Sequence, residues 1–262
     1  SDSKFIPITQ QFLDDYRRGW KIWGIRAYDD HPRANSQNII QFVSNHERFF
    51  LFVDEFDPHE PFDTPERWAY RYHDQRDEPL QIWPPYARQA ISTGAITERQ
   101  GEQLRANYGA KLSMIDHWFG RVVDAMDRLS LWDDTALFLL TDHGHYLGER
   151  DGTFGKPLSP VYDLLGGIPV LVSWPGVPAG VRYALTTGVD VHAPLTDLFD
   201  LEIGHRTHGV SLRRVIKGAA DTARDHLLQG YFGREVNVID ADGKYIRGVE
   251  GENTDISVWS NR

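Results

Sequence analysis

The chain of 262 residues contains no cysteine. Disulfides, thiolate metal sites and a cysteine nucleophile are therefore excluded within it, while the redox compartment stays open. No apolar run reaches the roughly 20 residues that a membrane-spanning helix needs. Positive charge is in deficit, 28 Lys and Arg against 38 Asp and Glu, giving a net charge of −10. That balance argues against nucleic acid or an anionic membrane as the main partner. It leaves room for a small anionic substrate, because a local cluster of cations can oppose the global field. The opening residues Ser1-Asp2-Ser3-Lys4 carry neither an initiator methionine nor the apolar core of a signal peptide, and the chain reads as the later part of a longer sequence.

The residues present are those of a globular protein. Forty per cent hydrophobic and 25% charged residues over this length can bury a substantial core, as one large domain or a large domain with a smaller one. Eight Trp, eleven Tyr and thirteen Phe make the chain aromatic-rich. Core packing accounts for most of them and leaves a few for contact with carbohydrate.

Two apolar runs read as buried strands. Arg48-Phe-Phe-Leu-Phe-Val-Asp54 leads into Asp57-Pro58-His59-Glu60-Pro61, where the prolines end the strand and fix a loop around His59. Thr135-Ala-Leu-Phe-Leu-Leu140 closes abruptly in Thr141-Asp142-His143-Gly144-His145. Between them, residues 63–96 are rich in Pro, Arg, Asp and Tyr and read as an irregular surface excursion. From Thr97 to Leu129 the period turns helical, with a stripe through Leu104, Tyr108, Leu112, Ile115, Phe119, Val122, Met126 and Leu129. Thr97 with Gln100 fits a capping box at its start. Helix followed by strand, repeated at Ile168-Pro-Val-Leu-Val-Ser-Trp174, implies a parallel α/β sheet. A short amphipathic helix is expected from Leu195 to Leu201. Beyond about residue 225 the segments 227–231, 236–239 and 244–249 alternate like strands, with Asp242-Gly243 as a hairpin turn. The expected division is therefore an α/β domain over 1–224 and a small antiparallel subdomain over 225–262. The first forty residues are polar and weakly periodic.

The chemistry gathers at strand ends, where open α/β sheets bind their ligands. Asp142 offers a hard oxygen and His143 a nitrogen, so the pair is a candidate for sharing one cation, with Gly144 turning the backbone away. Read alone, an Asp-His pair is better explained by a helix cap beside a packed histidine, and the strand before it and the glycine after it shift the balance toward a ligand site. His59 leaves another strand and is suited to binding an anionic oxygen or to proton transfer. Lys156 follows Gly152-Thr-Phe-Gly155, whose spacing is not that of a phosphate-binding P-loop. His145 is a weaker candidate for substrate contact.

Taken in order, Asp57-Pro-His-Glu-Pro61, the 104–134 helix ending Leu131-Trp-Asp-Asp134, and Thr141-Asp-His-Gly-His-Tyr-Leu-Gly-Glu-Arg150 with Gly155-Lys156-Pro157 resemble a type I sulfatase. Ile168-Pro-Val-Leu-Val-Ser-Trp-Pro-Gly176, Val189-Asp-Val-His-Ala-Pro-Leu195 and Gly243-Lys-Tyr-Ile246 continue the series, so the resemblance runs from about residue 48 to 247. It implies an alkaline-phosphatase-like α/β fold, mostly parallel, and a sulfuric ester hydrolase acting on sulfated carbohydrate or another organic sulfate. It assigns Asp142 and His143 to a divalent cation, usually calcium, with manganese or magnesium as alternatives. It assigns His59 and Lys156 to the sulfate and the leaving-group oxygen. It also implies an exported, periplasmic or secreted, protein.

The departures are as informative. The family's formylglycine nucleophile arises from a Cys/Ser-x-Pro/Ala-x-Arg motif, and none occurs here. The family's first metal strand, ending in Asp-Asp, is missing; Asp29-Asp30 has no evident strand before it and is not accepted as a substitute. The C-terminal Leu-Tyr-Asp-Leu segment is absent too. The resemblance thus reads the chain as a C-terminal portion lacking the nucleophile, whose sheet the missing half or a partner chain would cover. Phosphonate or phosphodiester hydrolysis within the same superfamily is the enzymatic alternative. A degenerate, non-catalytic sulfate-binding module is the other.

Overall fold

Strand β1 (Lys21–Ala27) pairs in parallel with β2 (Phe49–Glu55), Lys21 opposite Phe49 and Ala27 opposite Glu55. The helix between them, α1 (Pro32–Val43), is the crossover that a parallel pair requires. The computed structural model describes residues 21–27, 32–47, 49–74, 76–156, 161–202, 204–231, 235–248 and 257–260. Its contacts form two compact units, Ser1–Pro85 with Gln89–Leu131, and Tyr86–Arg88 with Trp132–Arg262. Both β1 and α1 fall in the stretch that read as weakly periodic. A strand does precede Asp29-Asp30, contrary to the sequence reading, although Asp29 and Asp30 themselves lie outside the described residues.

In the first unit a short helix, α2 (Glu66–Ala69), precedes the long α3 (Glu98–Arg128). The capping box is present: Thr97 Oγ1 accepts the Gln100 N–H at 3.2 Å, and Gln100 Oε1 accepts the Thr97 N–H at 2.8 Å. The buried face of α3 differs from the expected stripe. Leu112 and Leu129 are exposed, while Gln103, Leu104, Asn107, Ala110, Lys111 and Met114 are buried. The polar members of that face serve the irregular excursion: Gln103 Oε1 accepts the Gln81 N–H at 2.9 Å and Asn107 Nδ2 donates to Gln81 O at 3.0 Å. An excursion without a sheet ladder of its own has its backbone groups satisfied by helix side chains instead.

Glu55, at the end of β2, accepts hydrogen bonds from Asn35 of α1 and from the Asp57 N–H. Burial raises its carboxyl above the ordinary value, outweighing the Asn35 hydrogen bond that lowers it. A carboxyl with a raised folded pKa binds its proton more tightly in the native state, so stability falls as pH climbs through the interval above the unfolded value. Glu55→Gln is expected to flatten that fall and to be the more stable form above the interval. Urea unfolding at a series of values from about pH 4 to about pH 8 measures the two slopes.

In the second unit, β3 (Leu137–Leu140) pairs with β6 (Val170–Ser173), Leu137 opposite Ser173 and Leu140 opposite Val170. The pairing is antiparallel, where the sequence pattern implied parallel. The reason lies in the connection, which holds the two-residue strands β4 (Tyr146–Leu147) and β5 (Phe154–Gly155) and the single helical turn α4 (Asp163–Gly166). None of these is a crossover helix. The ribbon is also less buried than an apolar run implies: Leu139 and Leu140 are exposed, and Leu171 keeps 60% of its surface open. Further on come α5 (His192–Phe199) and α6 (Arg213–Ile216). Asp190, fully buried, ties this region together by accepting the Thr187 and Val210 N–H groups at 2.8 and 2.9 Å and pairing with Arg224.

The tail forms one antiparallel sheet in the order β10-β9-β8-β7, from β7 (His226–Tyr231), β8 (Glu235–Asp240), β9 (Gly243–Gly248) and β10 (Ser257–Ser260). The Asp242-Gly243 turn is the hairpin expected there. Asp240 Oδ1 accepts the N–H groups of Asp242 at 2.9 Å and Gly243 at 3.0 Å, closing an Asx turn. The sheet belongs to the same unit as residues 132–224.

Candidate functional site

Asp142 and His143 follow β3 after the single residue Thr141. Asp142 Oδ1 accepts the His143 N–H at 2.8 Å, with the Thr141 hydroxyl at 3.4 Å. His143 Nδ1 lies 2.9 Å from Gly144 O, and since a carbonyl only accepts, Nδ1 carries the proton. In the neutral ring the lone pair is then on Nε2, which sits 3.6 Å from Asp142 Oδ2. Two acceptor atoms at that separation repel unless a cation or a proton lies between them. A second ring nitrogen donating to a carbonyl is the usual support for a metal-bound histidine. Asp142 is 84% exposed and His143 43%, so further ligands can approach. The pair fits part of a divalent shell. Among the described residues no group of three or more His, Cys, Asp or Glu could hold a metal, and a hard cation takes about six to eight oxygens.

Gly144 is required for steric reasons. A Cβ there would lie 1.9 Å from the Leu164 carbonyl oxygen, and the Gly144 N–H donates to Leu165 O at 2.8 Å. The strand end is thus docked on α4 with no room for a side chain.

His145 and Lys156 flank one end of the β4–β5 ladder, in which Tyr146 faces Gly155 and Leu147 faces Phe154. The ladder is anchored by buried Tyr146 and Phe154. Burial raises the Tyr146 hydroxyl above its ordinary value, and its oxygen accepts the Tyr162 N–H at 3.2 Å. The turn between the strands is closed by Gly148 N–H to Thr153 O at 2.8 Å, with Arg150 and Asp151 both at positive φ. Phe154 N–H donates to Ala87 O at 3.0 Å, so the Tyr86–Arg88 segment forms a third edge on this hairpin. Lys156 Nζ stands 6.0 Å from the Tyr86 ring centroid, and the His145 ring meets the same ring edge-on at 6.4 Å. Pro157, part of the expected motif, lies outside the described residues.

His59 belongs to the first unit. Its Nδ1 donates to Glu60 O at 2.7 Å, its ring stacks on Phe56 at 4.4 Å, and the Glu60 carboxylate is 3.5 Å from Nδ1. The loop around it hangs on Lys111 of α3, whose ammonium donates to His59 O at 3.0 Å and Pro61 O at 2.6 Å and pairs with Asp57 Oδ1 at 2.6 Å. Lys111 is 4% exposed. The sequence pattern did not single it out, although Gln103, Asn107 and Lys111 form an i, i+4, i+8 polar row that marks a buried polar face. Tyr86 was passed over as well, inside the Pro-rich excursion.

The structure thus brings Asp142 together with His143, and His145 together with Lys156 around Tyr86. The fold resembles solved hydrolases of the alkaline-phosphatase-like class. Phosphonate monoester hydrolase from Silicibacter pomeroyi superposes with a TM-score of 0.70 at 21% identity, over 90% of this chain and 55% of that one. A protein solved with its substrate D-glucosamine-2-N,6-O-disulfate superposes with a TM-score of 0.68 at 14% identity, over 90% and 64%. In sequence, choline-sulfatase of Rhizobium meliloti (strain 1021) is 27% identical over 202 residues, 75% of this chain and 38% of that protein. The chain therefore spans well under half the length of that relative. The sulfatase family model matches residues 5–201, across both the His59 loop and the Asp142-to-Lys156 region, and the chain belongs to the sulfatase family.

Proposed function

We propose that the chain carries the metal-pair and lysine side of a sulfuric ester hydrolase acting on sulfated carbohydrate or another organic sulfate, with the nucleophile segment outside this chain. The observation that carries the reading is the facing of His143 Nε2 and Asp142 Oδ2 at the tip of β3, inside the span matched by the sulfatase family. Asp142 and His143 hold the divalent cation, with calcium as first choice and manganese or magnesium as alternatives. When bound, such a cation supplies Lewis-acid polarisation of the sulfuryl oxygens. Lys156 sets its ammonium against the charge that grows on those oxygens as the S–O bond breaks. His59, its Nδ1–H donating to Glu60 O, protonates the departing alkoxide from Nε2 in its imidazolium form and is left as the neutral Nδ1–H ring. His145 contacts the substrate beside Lys156. The apolar faces left open on Leu139, Leu140 and Leu171 support a cover for this ribbon, from further sulfatase sequence or a partner chain. Export to the periplasm or the medium is part of the same reading; among the described residues no helix is long and apolar enough to cross a membrane.

The complete protein, assayed on an aryl sulfate and an aryl phosphodiester with calcium present, is expected to prefer the sulfate. A preference for the diester would replace the reading by phosphonate or phosphodiester hydrolysis, which the fold likeness to phosphonate monoester hydrolases accommodates. Binding of sulfate without turnover of either ester would make the protein a degenerate binding module.

A further inference from the structure

Tyr86 combines features that a structural tyrosine rarely has together. It is 45% exposed, yet its backbone is held at φ 53, a conformation costly for a non-glycine residue and concentrated at functional sites. It is held there by its neighbours. Ala87 bridges to Phe154, and Gly155, at φ +96, is packed so closely that a Cβ on it would lie 2.9 Å from Tyr86 Cα. A bulkier residue at 155 would push the Tyr86 backbone away. The ring is therefore fixed beside the lysine rather than swinging as a surface side chain, with the Lys156 ammonium at 6.0 Å and the His145 imidazole edge-on at 6.4 Å.

We infer that Tyr86 is a specificity-determining residue, an aromatic platform on which the sugar ring of a saccharide sulfate rests while Lys156 and His145 take its polar groups. The inference rests on the reading of Lys156 and His145 as substrate-side residues. An aromatic face beside a hydrogen-bonding ammonium and an imidazole matches a pyranose, which presents apolar C–H groups and hydroxyls together. A quaternary ammonium alcohol also favours an aromatic face. Here, however, it would share the ring with the Lys156 ammonium, and the like charges would repel.

Calorimetric titration of the complete protein with N-acetylglucosamine 6-sulfate, choline sulfate and inorganic sulfate tests this. Tyr86→Ala is expected to weaken the saccharide sulfate about tenfold while changing inorganic sulfate by less than about twofold. Tyr86→Phe, which keeps the ring, is expected to bind the saccharide as the parent does. Choline sulfate should bind the parent no tighter than inorganic sulfate. Equal losses for saccharide and inorganic sulfate in Tyr86→Ala would make the ring a support for the Lys156 loop and overturn the inference. So would saccharide binding indifferent to Tyr86→Ala, or a loss for choline sulfate as large as for the saccharide. If the parent binds none of the three, the assignment of Lys156 falls as well. If it binds sulfate and only the Tyr86 dependence is missing, that assignment stands.

Discussion

Lys111→Met is expected to destabilise the first unit by about 3–5 kcal/mol, because it strips the counter-ion from Asp57 and the donor from the His59 and Pro61 carbonyls in a buried setting. For a protein of this size that corresponds to a melting temperature lower by roughly 10 °C, read by thermal unfolding of the complete protein. The methylene stem of the lysine is nearly reproduced by methionine, so the loss is electrostatic rather than a cavity. Lys111→Arg keeps the charge but brings a planar guanidinium to a site shaped for a compact ammonium, and is expected to recover only part of the stability. Combining Lys111→Met with Asp57→Asn should cost less than the sum of the two, since the second change removes the charge the first leaves stranded. A loss below about 1 kcal/mol for Lys111→Met would mean that solvent replaces the ammonium and that the His59 loop is held by other contacts.

Asp142→Ala and His143→Ala are each expected to lower calcium affinity by about a hundredfold or more, since changes to supporting groups around metal ligands already cost about ten- to a hundredfold. Sulfate ester hydrolysis should fall with the affinity and return in part at high calcium, a recovery that a folding defect would not show. Direct titration with calcium, followed by calorimetry, provides the measurement. Retained affinity in both variants would reduce Asp142 to a cap for the His143 N–H, its shortest hydrogen bond among the described residues. An asparagine at 143 keeps an oxygen donor for the cation but loses the Nδ1 anchor on Gly144 O, and should fall between parent and alanine.

The sequence made α3 legible because its capping box and helical period agree, and the tail sheet because Asp242-Gly243 punctuates alternating strands. It made Asp142, His143, His59 and Lys156 candidates because each follows a strand or a glycine turn. What escaped was whatever apolar periodicity does not mark. Lys111 lies outside the apolar stripe and drew no reading, and its burial shows only in its contacts with the distant His59 loop. Asn35 and Ser36 of α1 are buried polar residues too, and they made a packed helix read as polar chain. The antiparallel register of β3 and β6 depends on what the connection lacks, a crossover helix, and strand composition does not report direction. Tyr86 is placed by the one-residue bridge of its neighbour Ala87 to Phe154, a contact across more than sixty residues of sequence that no local pattern encodes.

The Tyr86–Arg88 segment also decides how the molecule can be divided. These three residues leave the first unit, serve the second, and return to the first at Gln89. No single break in the chain separates the two units intact. Cutting after Leu131 would strip the second unit of the Ala87 carbonyl that receives the Phe154 N–H, and of the ring beside Lys156. Cutting after Pro85 would instead leave α3 joined to the second unit and take the His59 loop away from Lys111. The two units are woven through one another in sequence, so neither could have been acquired, lost or exchanged as a simple block.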